Sequence, residues 1–363
     1  MSVEHQPFIP LDGLEKGEKA MSYSLPPALR RRAQRGLGIP LFGLLALLLI
    51  PLLASSLPAA TWFRFRVDPI SAKGTGVALD PQHRPHVFYY SPNQFTAVMY
   101  HSFWTGSSWQ KEVVDSAASY HNDGPSAAID SSGRIHVAYF NRQYHLGYAL
   151  YDGVWHLETA DTATKTGDWC ELSLDSNNDP CIAYSQSNTW RTRYASKSGS
   201  AWQIYELAGG GGYGANFDLD AQGHSHISDS YSTIRYSYYD GSSWHYEAAA
   251  SSGSQYNSLT LDNQGRPQIS YYSGADPNFD LKFATKNSGA WQSYTVDHGL
   301  QQYKRGWDNH ILCDPSGGLH IAYFAHNEGH IKHAWGSGGT WSTEVVDTVG
   351  GAVIPTRGTE VDD

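Results

Sequence analysis

From Gly74 to Asp347 the chain alternates short apolar runs, rich in Val, Ile, Tyr and Trp, with turns built of Gly, Ser, Asn and Asp. No stretch carries the 3.6-residue period of a helix, so the runs predict antiparallel strands. The pattern recurs six times. One copy reads SLTLDNQGRPQISYY, DLKFA and GAWQSYTVD; another reads SAAIDSSGRIHVAYF, HLGYA and GVWHLETAD. Asp80, Asp130, Asp175, Asp220, Asp262 and Asp314 close the first strand of each copy, at steps of 50, 45, 45, 42 and 52 residues. Three residues further stand His83, Gly133, Asn178, Gly223, Gly265 and Gly317, the types that best tolerate a left-handed backbone. A tight hairpin follows, its aspartate bonding the turn amides.

The third strand of each copy is predicted to carry Tyr100, Tyr148, Tyr194, Tyr236, Phe283 or His333. The fourth opens on Trp109, Trp155, Trp202, Trp244, Trp291 or Trp341. Four strands per roughly 47 residues, repeated, predict an all-β fold: a six-bladed β-propeller with four antiparallel strands per blade. An orphan copy of the fourth strand, Trp62 to Asp68, precedes the first unit. It either closes the ring by pairing with the last blade or belongs to a degenerate seventh blade completed by the tail around GGAVIP. Six complete copies favour six blades.

The N-terminus is different material. Residues 37–60 carry no charge and follow Arg30, Arg31, Arg32 and Arg35, a pattern that directs the following segment out of the cytoplasm. The segment reads equally as a signal cleaved near Ala54 or as an anchor long enough to span a bilayer. The expected organisation is a cytoplasmic-side leader (1–36), signal or anchor (37–60), propeller (62–347) and an acidic tail (348–363), with the propeller secreted or membrane-anchored. From residue 61 onward 19 Lys and Arg face 31 Asp and Glu, which argues against nucleic acid and anionic membrane as partners. Membrane contact is expected only through residues 37–60, and a monomer is expected. Of the three cysteines, Cys313 fills an apolar slot, while Cys181 is expected opposite Leu174, too far from Cys170 for a disulfide.

The repeat accounts for many residues that otherwise suggest a site. His86, His136, His226 and His320 share one slot and so stand a blade apart, each bonding within its own blade. Arg193, Arg235, Lys282 and Lys332 share another. The run Asp175 to Asp179 aligns with the other turns rather than forming a calcium loop. Function is expected where copies diverge, on the connections from fourth to first and second to third strand, which emerge on one face. One class holds Tyr120 to Asp123, Asp168 to Glu171 and Gln301 to His310; the other holds Asn141 to His145, Asn188 to Arg191 and His326 to His333. Asp229 stands where the other copies place tyrosine, a substitution that costs packing unless the carboxylate has a partner or a task. His326, Glu328 and His330 are of metal-ligating types but form no strict motif, and neither metal nor other cofactor is expected.

The wording L-x-L-D-x-x-G-x-P-x-I-S-Y-Y, L-K-x-A, G-x-x-W-x-x-x-x-V-D resembles the tandem repeats of secreted bacterial propellers grouped with sialidase-like or BNR-repeat proteins, over Trp62 to Asp347. The resemblance implies carbohydrate-facing roles. It departs from that grouping in lacking the Asp-box S-x-D-x-G-x-x-W and an assignable arginine triad. Three functions remain in view. The preferred one is a binding module for a glycan or protein, with Trp169, Trp190 and Trp307 as stacking surfaces, Asp123, Asp308 and Asn309 as hydrogen-bonding groups and Arg142 alongside. The second is a polysaccharide-acting enzyme, lyase before hydrolase. There His121 or His145 with Tyr144 or Tyr303 would serve as acid and base, Arg142 or Arg305 would hold a carboxylate, and Asp229 would orient a partner. The third is a structural propeller in an envelope assembly.

Overall fold

The computed structural model describes residues 62, 65–70, 72–91, 97–119, 124–209, 212–253, 256–274, 279–287, 289–299, 305–326 and 328–348, leaving residues 37–60 and the side chain of Trp307 outside. Among the described residues no helix is long and apolar enough to cross a membrane. They form six four-stranded antiparallel sheets, each pairing its strands in chain order. Blade 1 holds β1 (Lys73–Leu79), β2 (Pro85–Tyr90), β3 (Ala97–Trp104) and β4 (Trp109–Ala118). Blade 2 holds β5 (Ser126–Ile129), β6 (Ile135–Phe140), β7 (Leu146–Tyr151) and β8 (Trp155–Asp161). Blade 3 holds β9 (Thr166–Leu174), β10 (Pro180–Gln186), β11 (Arg191–Ser198) and β12 (Ala201–Glu206). Blade 4 holds β13 (Tyr213–Leu219), β14 (Ser225–Ser230), β15 (Ile234–Tyr239) and β16 (Trp244–Ala250). Blade 5 holds β17 (Asn257–Leu261), β18 (Pro267–Tyr272), β19 (Leu281–Thr285) and β20 (Gln292–Asp297). Blade 6 holds β21 (Arg305–Cys313), β22 (Leu319–Ala325), β23 (His330–Ser337) and β24 (Thr340–Thr348).

The turn that repeats in sequence repeats in space. Asp80 Oδ1 accepts the amides of Gln82 and Arg84 at 2.9 and 2.8 Å, and Asp314 does the same for Ser316 and Gly318 at 2.8 Å. The residue three on is left-handed in every copy, from φ 58° at His83 to 89° at Gly317. The shared histidines bond inside their own blades: His136 Nδ1 meets Tyr148 Oη at 2.6 Å and His320 Nδ1 meets His333 Nε2 at 2.9 Å.

The core lies between blades. Leu172, Phe217, Leu259 and Ile311 on the innermost strands are buried against Tyr148, Tyr194, Tyr236 and Phe283 of the preceding blade. Each such side chain contributes about 1.5–3 kcal/mol by leaving water. The fourth-strand tryptophan of one blade meets the third-strand ring of the blade before it edge to face: Trp202 on Tyr148 at 5.3 Å, Trp244 on Tyr194 at 5.5 Å, Trp291 on Tyr236 at 5.2 Å and Trp341 on Phe283 at 5.1 Å. In blade 1 the ring in this slot is His101, not Tyr100. Phe88 pairs with His101 as Ala138 pairs with Tyr148, and Trp155 packs on His101 at 5.9 Å. A third rule also runs between blades: Tyr139 donates to Asp115 at 2.9 Å, Tyr184 to Asp161 at 2.7 Å and Tyr323 to Asp297 at 2.7 Å. Each aspartate ends or nearly ends the fourth strand of the preceding blade.

Two local expectations are corrected. Cys181 pairs with Ser173 rather than Leu174; all three cysteines are free thiols, and Cys313 is only half-buried. Asp168 to Glu171 and Arg305 to His310 are not loops but the opening turns of β9 and β21. Bulges, marked by register shifts between Ala183 and Ser185 and between Trp307 and His310, carry those strands further than the apolar pattern implied.

Candidate ligand site

The openings of the innermost strands converge on a central cavity of about 290 Å³. All six blades contribute, among them Thr75, Trp169, Glu171, Asn216, Tyr256, Asp308 and His310. These strand starts adjoin the fourth-to-first connections, so the cavity opens on the face where the copies diverge. Its wall is tight where blades 1 and 2 meet, because a Cβ on Gly76 would stand 1.9 Å from Pro125 O.

The residue six before each turn aspartate sits on this rim: Gly74, Gly124, Trp169, Gly214, Tyr256 and Asp308. Gly74 and Gly214 are left-handed there, with φ of 55° and 58°, and so are Trp169 at 45° and Asp308 at 43°. An L-residue in that region gives up about 1–2 kcal/mol that glycine does not. Three blades keep glycine at this position and three place Trp169, Tyr256 and Asp308 there, of which Trp169 and Asp308 hold the left-handed conformation.

Trp169 belongs to an aromatic series. It meets Tyr213 edge to face at 5.5 Å, Trp190 lies 4.2 Å from Tyr213, and Tyr231 stacks on Tyr213 at 6.0 Å and 12°. Trp190 and Tyr231 sit on the second-to-third connections of blades 3 and 4, and Tyr144 on that of blade 2. Their exposures of 36%, 65% and 44% leave ring surface open to solvent at three successive blades. Tyr144 is held out by an Asx turn in which Asn141 Oδ1 accepts the amides of Gln143 and His145 at 3.0 and 3.1 Å. Tyr213 and Tyr231 escaped the sequence reading; Tyr231 was findable as the lone aromatic of its connection.

The remaining candidates separate. Asp229 is fully buried, 2.9 Å from Arg235 Nε, 2.5 Å from Arg235 Nη2 and 2.6 Å from Thr192 Oγ1. Burial pushes its carboxyl above the usual range, opposed by Arg235 and Thr192. Arg305 is held by Glu328 at 2.5 Å and Asp297 at 3.2 Å; burial opposes its charge, but those carboxylates outweigh burial and raise its pKa. Neither residue lines the cavity, nor do Tyr144, His145 or Arg142, the last fully on the surface. Asn309 does line it, with its amide committed to Ser270 at 2.5 Å and to Gly306 O at 2.9 Å. His330 Nδ1 lies 3.4 Å from Glu328. Among the described residues no three metal-ligating side chains gather, and His326, Glu328 and His330 do not form such a group. His121, Asp123 and Tyr303 lie outside the described residues.

No family model matches the chain, and no curated protein matches it. Solved structures do. The chain is similar to a catalytically inactive virginiamycin B lyase from Staphylococcus aureus with quinupristin, at 9% identity over 80% of this chain and 89% of that one, TM-score 0.56. It is similar to a triple mutant of AofleA from Arthrobotrys oligospora, at 11% identity over 77% and 87%, TM-score 0.50. A leech intramolecular trans-sialidase matches at 9% identity over 79% and 70%, TM-score 0.48. At these identities the first two likenesses show the fold alone, a β-propeller, in keeping with the six four-stranded antiparallel sheets of this chain.

Proposed function

We propose that this chain is a non-catalytic binding propeller, working outside the cytoplasm, that recognises a neutral glycan on the rim and mouth of its central cavity. The observation that carries the reading is the arc of exposed rings, Tyr144, Trp190 and Tyr231, with Tyr213 and Trp169 bridging it to the cavity. Flat aromatic faces match the apolar faces of sugar rings, and the adjoining Glu171, Asn216, Asp308 and His310 supply hydroxyl partners. A neutral sugar is preferred because Glu171 and Asp308 face the cavity and the propeller is acidic, which disfavours uronate polymers. The placement outside the cytoplasm rests on the arginines before the uncharged residues 37–60. The lyase reading is weaker because Asp229 is committed to a buried ion pair and Arg305 to a half-buried one, and neither lines the cavity.

A glycan array probed with the propeller and with its Trp190→Ala variant tests the proposal. Retention of neutral glycans by the former and its loss in the latter is the expected result. Absorbance from unsaturated products on uronate polymers would instead establish a lyase. Failure of both assays, with an envelope protein recovered by pull-down, would replace the glycan reading with an assembly role.

A further inference from the structure

The rules that join one blade to the next do not close between blade 6 and blade 1 as they would in a ring of six. In such a ring Trp109 would pack on His333, and Asp347 would receive the hydroxyl of Tyr89. Both places are taken by the orphan strand copy. Trp62 meets His333 edge to face at 5.6 Å, and Tyr89 donates to Asp68 at 2.5 Å. Trp62 therefore behaves as the tryptophan of the blade after blade 6, and Asp68 as the aspartate of the blade before blade 1.

A third relationship agrees. Trp155, Trp202 and Trp291 donate their indole N–H to Glu112, Glu158 and Glu247, three residues past the tryptophan of the preceding blade. Counting from Trp62, that position is Phe65, which offers no acceptor; counting from Trp341 it is Glu344. Trp109 Nε1 is buried with no hydrogen-bond partner among the described residues, as the first count requires. The innermost strands give a fourth. β1 packs beside β5, β5 beside β9, β9 beside β13, β13 beside β17 and β17 beside β21, whereas β21 and β1 have no comparable contact. Val77, at the position of buried Leu172, Phe217, Leu259 and Ile311, is 51% exposed; Leu79 is 55% exposed and, on the facing side of blade 6, Leu312 is 50% exposed.

We propose that the ring has seven radial places, and that the seventh is a strand-accepting slot closed on its outer side by Trp62 to Asp68 and lined on its inner side by residues 349–363 of this chain. Length and wording favour that occupant. β24 ends at Thr348 on the flank of the slot. Fifteen residues separate Asp347 from Asp362, as they separate Asp115 from Asp130 where blade 2 begins. Val361-Asp362 reads as Leu79-Asp80 and Ile129-Asp130 do, an apolar residue closing a first strand before its turn aspartate. An innermost strand here covers Val77, Leu79 and Leu312, apolar surface that an isolated ring leaves in water.

Thiol labelling tests this. Val77→Cys and Leu312→Cys are each placed in a Cys313→Ala background, with Val154→Cys, on a blade 2 turn, as the accessible reference. In the full chain both slot positions are expected to react at least about tenfold more slowly than in a chain ending at Thr348, while the reference is unchanged. Val361→Lys in the full chain serves if the shortened chain fails to fold, and is expected to raise the labelling rate likewise. Equal rates with and without residues 349–363 overturn the proposal. Protection that appears only as protein concentration rises also overturns it, and identifies a second copy as the occupant.

Discussion

Arg235 grips Asp229 through two guanidinium nitrogens, Nε at 2.9 Å and Nη2 at 2.5 Å, inside the contact between blades 3 and 4. The same guanidinium donates to Ala208 O at 2.8 Å. Ala208 stands where blades 1, 2, 5 and 6 carry Asp115, Asp161, Asp297 and Asp347 on their fourth strands. At the contacts where Tyr139, Tyr184 and Tyr323 reach Asp115, Asp161 and Asp297 the carboxylate belongs to the preceding blade. At the contact between blades 4 and 5 that slot is Ala250, facing Tyr271. Between blades 3 and 4 the preceding blade has alanine and the carboxylate stands across the contact. At this contact Asp229 therefore supplies from the other side the carboxylate that Asp115, Asp161 and Asp297 supply at theirs, an exchange between the two slots.

That exchange predicts a rescue. Asp229→Tyr alone leaves Arg235 without its carboxylate in a dry interface, and breaking a buried pair costs about 3–5 kcal/mol. Adding Ala208→Asp restores the arrangement of Tyr184 with Asp161 and Arg193, whose Nε lies 3.3 Å from that aspartate. Urea denaturation is expected to show most of the loss recovered in the double variant. Additive destabilisation by the two substitutions would refute the exchange.

Acid sensitivity is expected to begin well above the carboxylate range. Burial pushes the His101 imidazole down to about 4, with Glu112 acting in opposition, and burial also lowers His86, His136 and His226. Unfolded, these groups titrate near 6.5, so between about pH 6.5 and 4 the unfolded chain binds more protons than the folded one. Stability conferred by the neutral rings is therefore complete above pH 6.5 and is lost as pH falls toward 4. His101→Phe places in blade 1 the type of ring that Phe283 supplies in blade 5. In urea midpoints measured from pH 8 to 4 this variant is expected to show a shallower decline than the parent.

The repeat made the architecture legible because each blade states its turn, its tryptophan and its tyrosine in the same order. A bulge hides the register in blade 1: Tyr100 is the first aromatic of β3 after Met99, whereas counting from the bulge between Met99 and Tyr100 selects His101. Within its own blade Asp229 stands out as a carboxylate in a tyrosine slot. Its partner slot, Ala208, lies in another, and only pairing across the interface joins the two. The loop face was legible as divergence from the repeat. Tyr213 was not, since it opens β13 within a strand pattern and acquires meaning only by standing between Trp169, Trp190 and Tyr231.

The rim residues Trp169 and Asp308 carry a backbone conformation that glycine adopts at the same place in blades 1 and 4. If that strain persists for a ligand, its relief and binding should move in opposite directions. Asp308→Gly removes the strain and is expected to raise stability by about 0.5–1 kcal/mol, seen as a higher urea midpoint. The same substitution removes a carboxylate from the cavity wall and is expected to weaken glycan binding. Trp190→Ala is expected to lower the midpoint, because nearly two thirds of the residue is covered and its ring lies 4.2 Å from Tyr213, while weakening the same glycan by roughly tenfold, or about 1.4 kcal/mol. Titration calorimetry at low and high salt then separates stacking from charge: a neutral glycan held by rings keeps its affinity as salt rises, whereas an anionic one loses it. A variant pair in which Asp308→Gly gains stability and binds fully as well as the parent would remove the rim from the site and leave the exposed arc of Tyr144, Trp190 and Tyr231 as its whole extent.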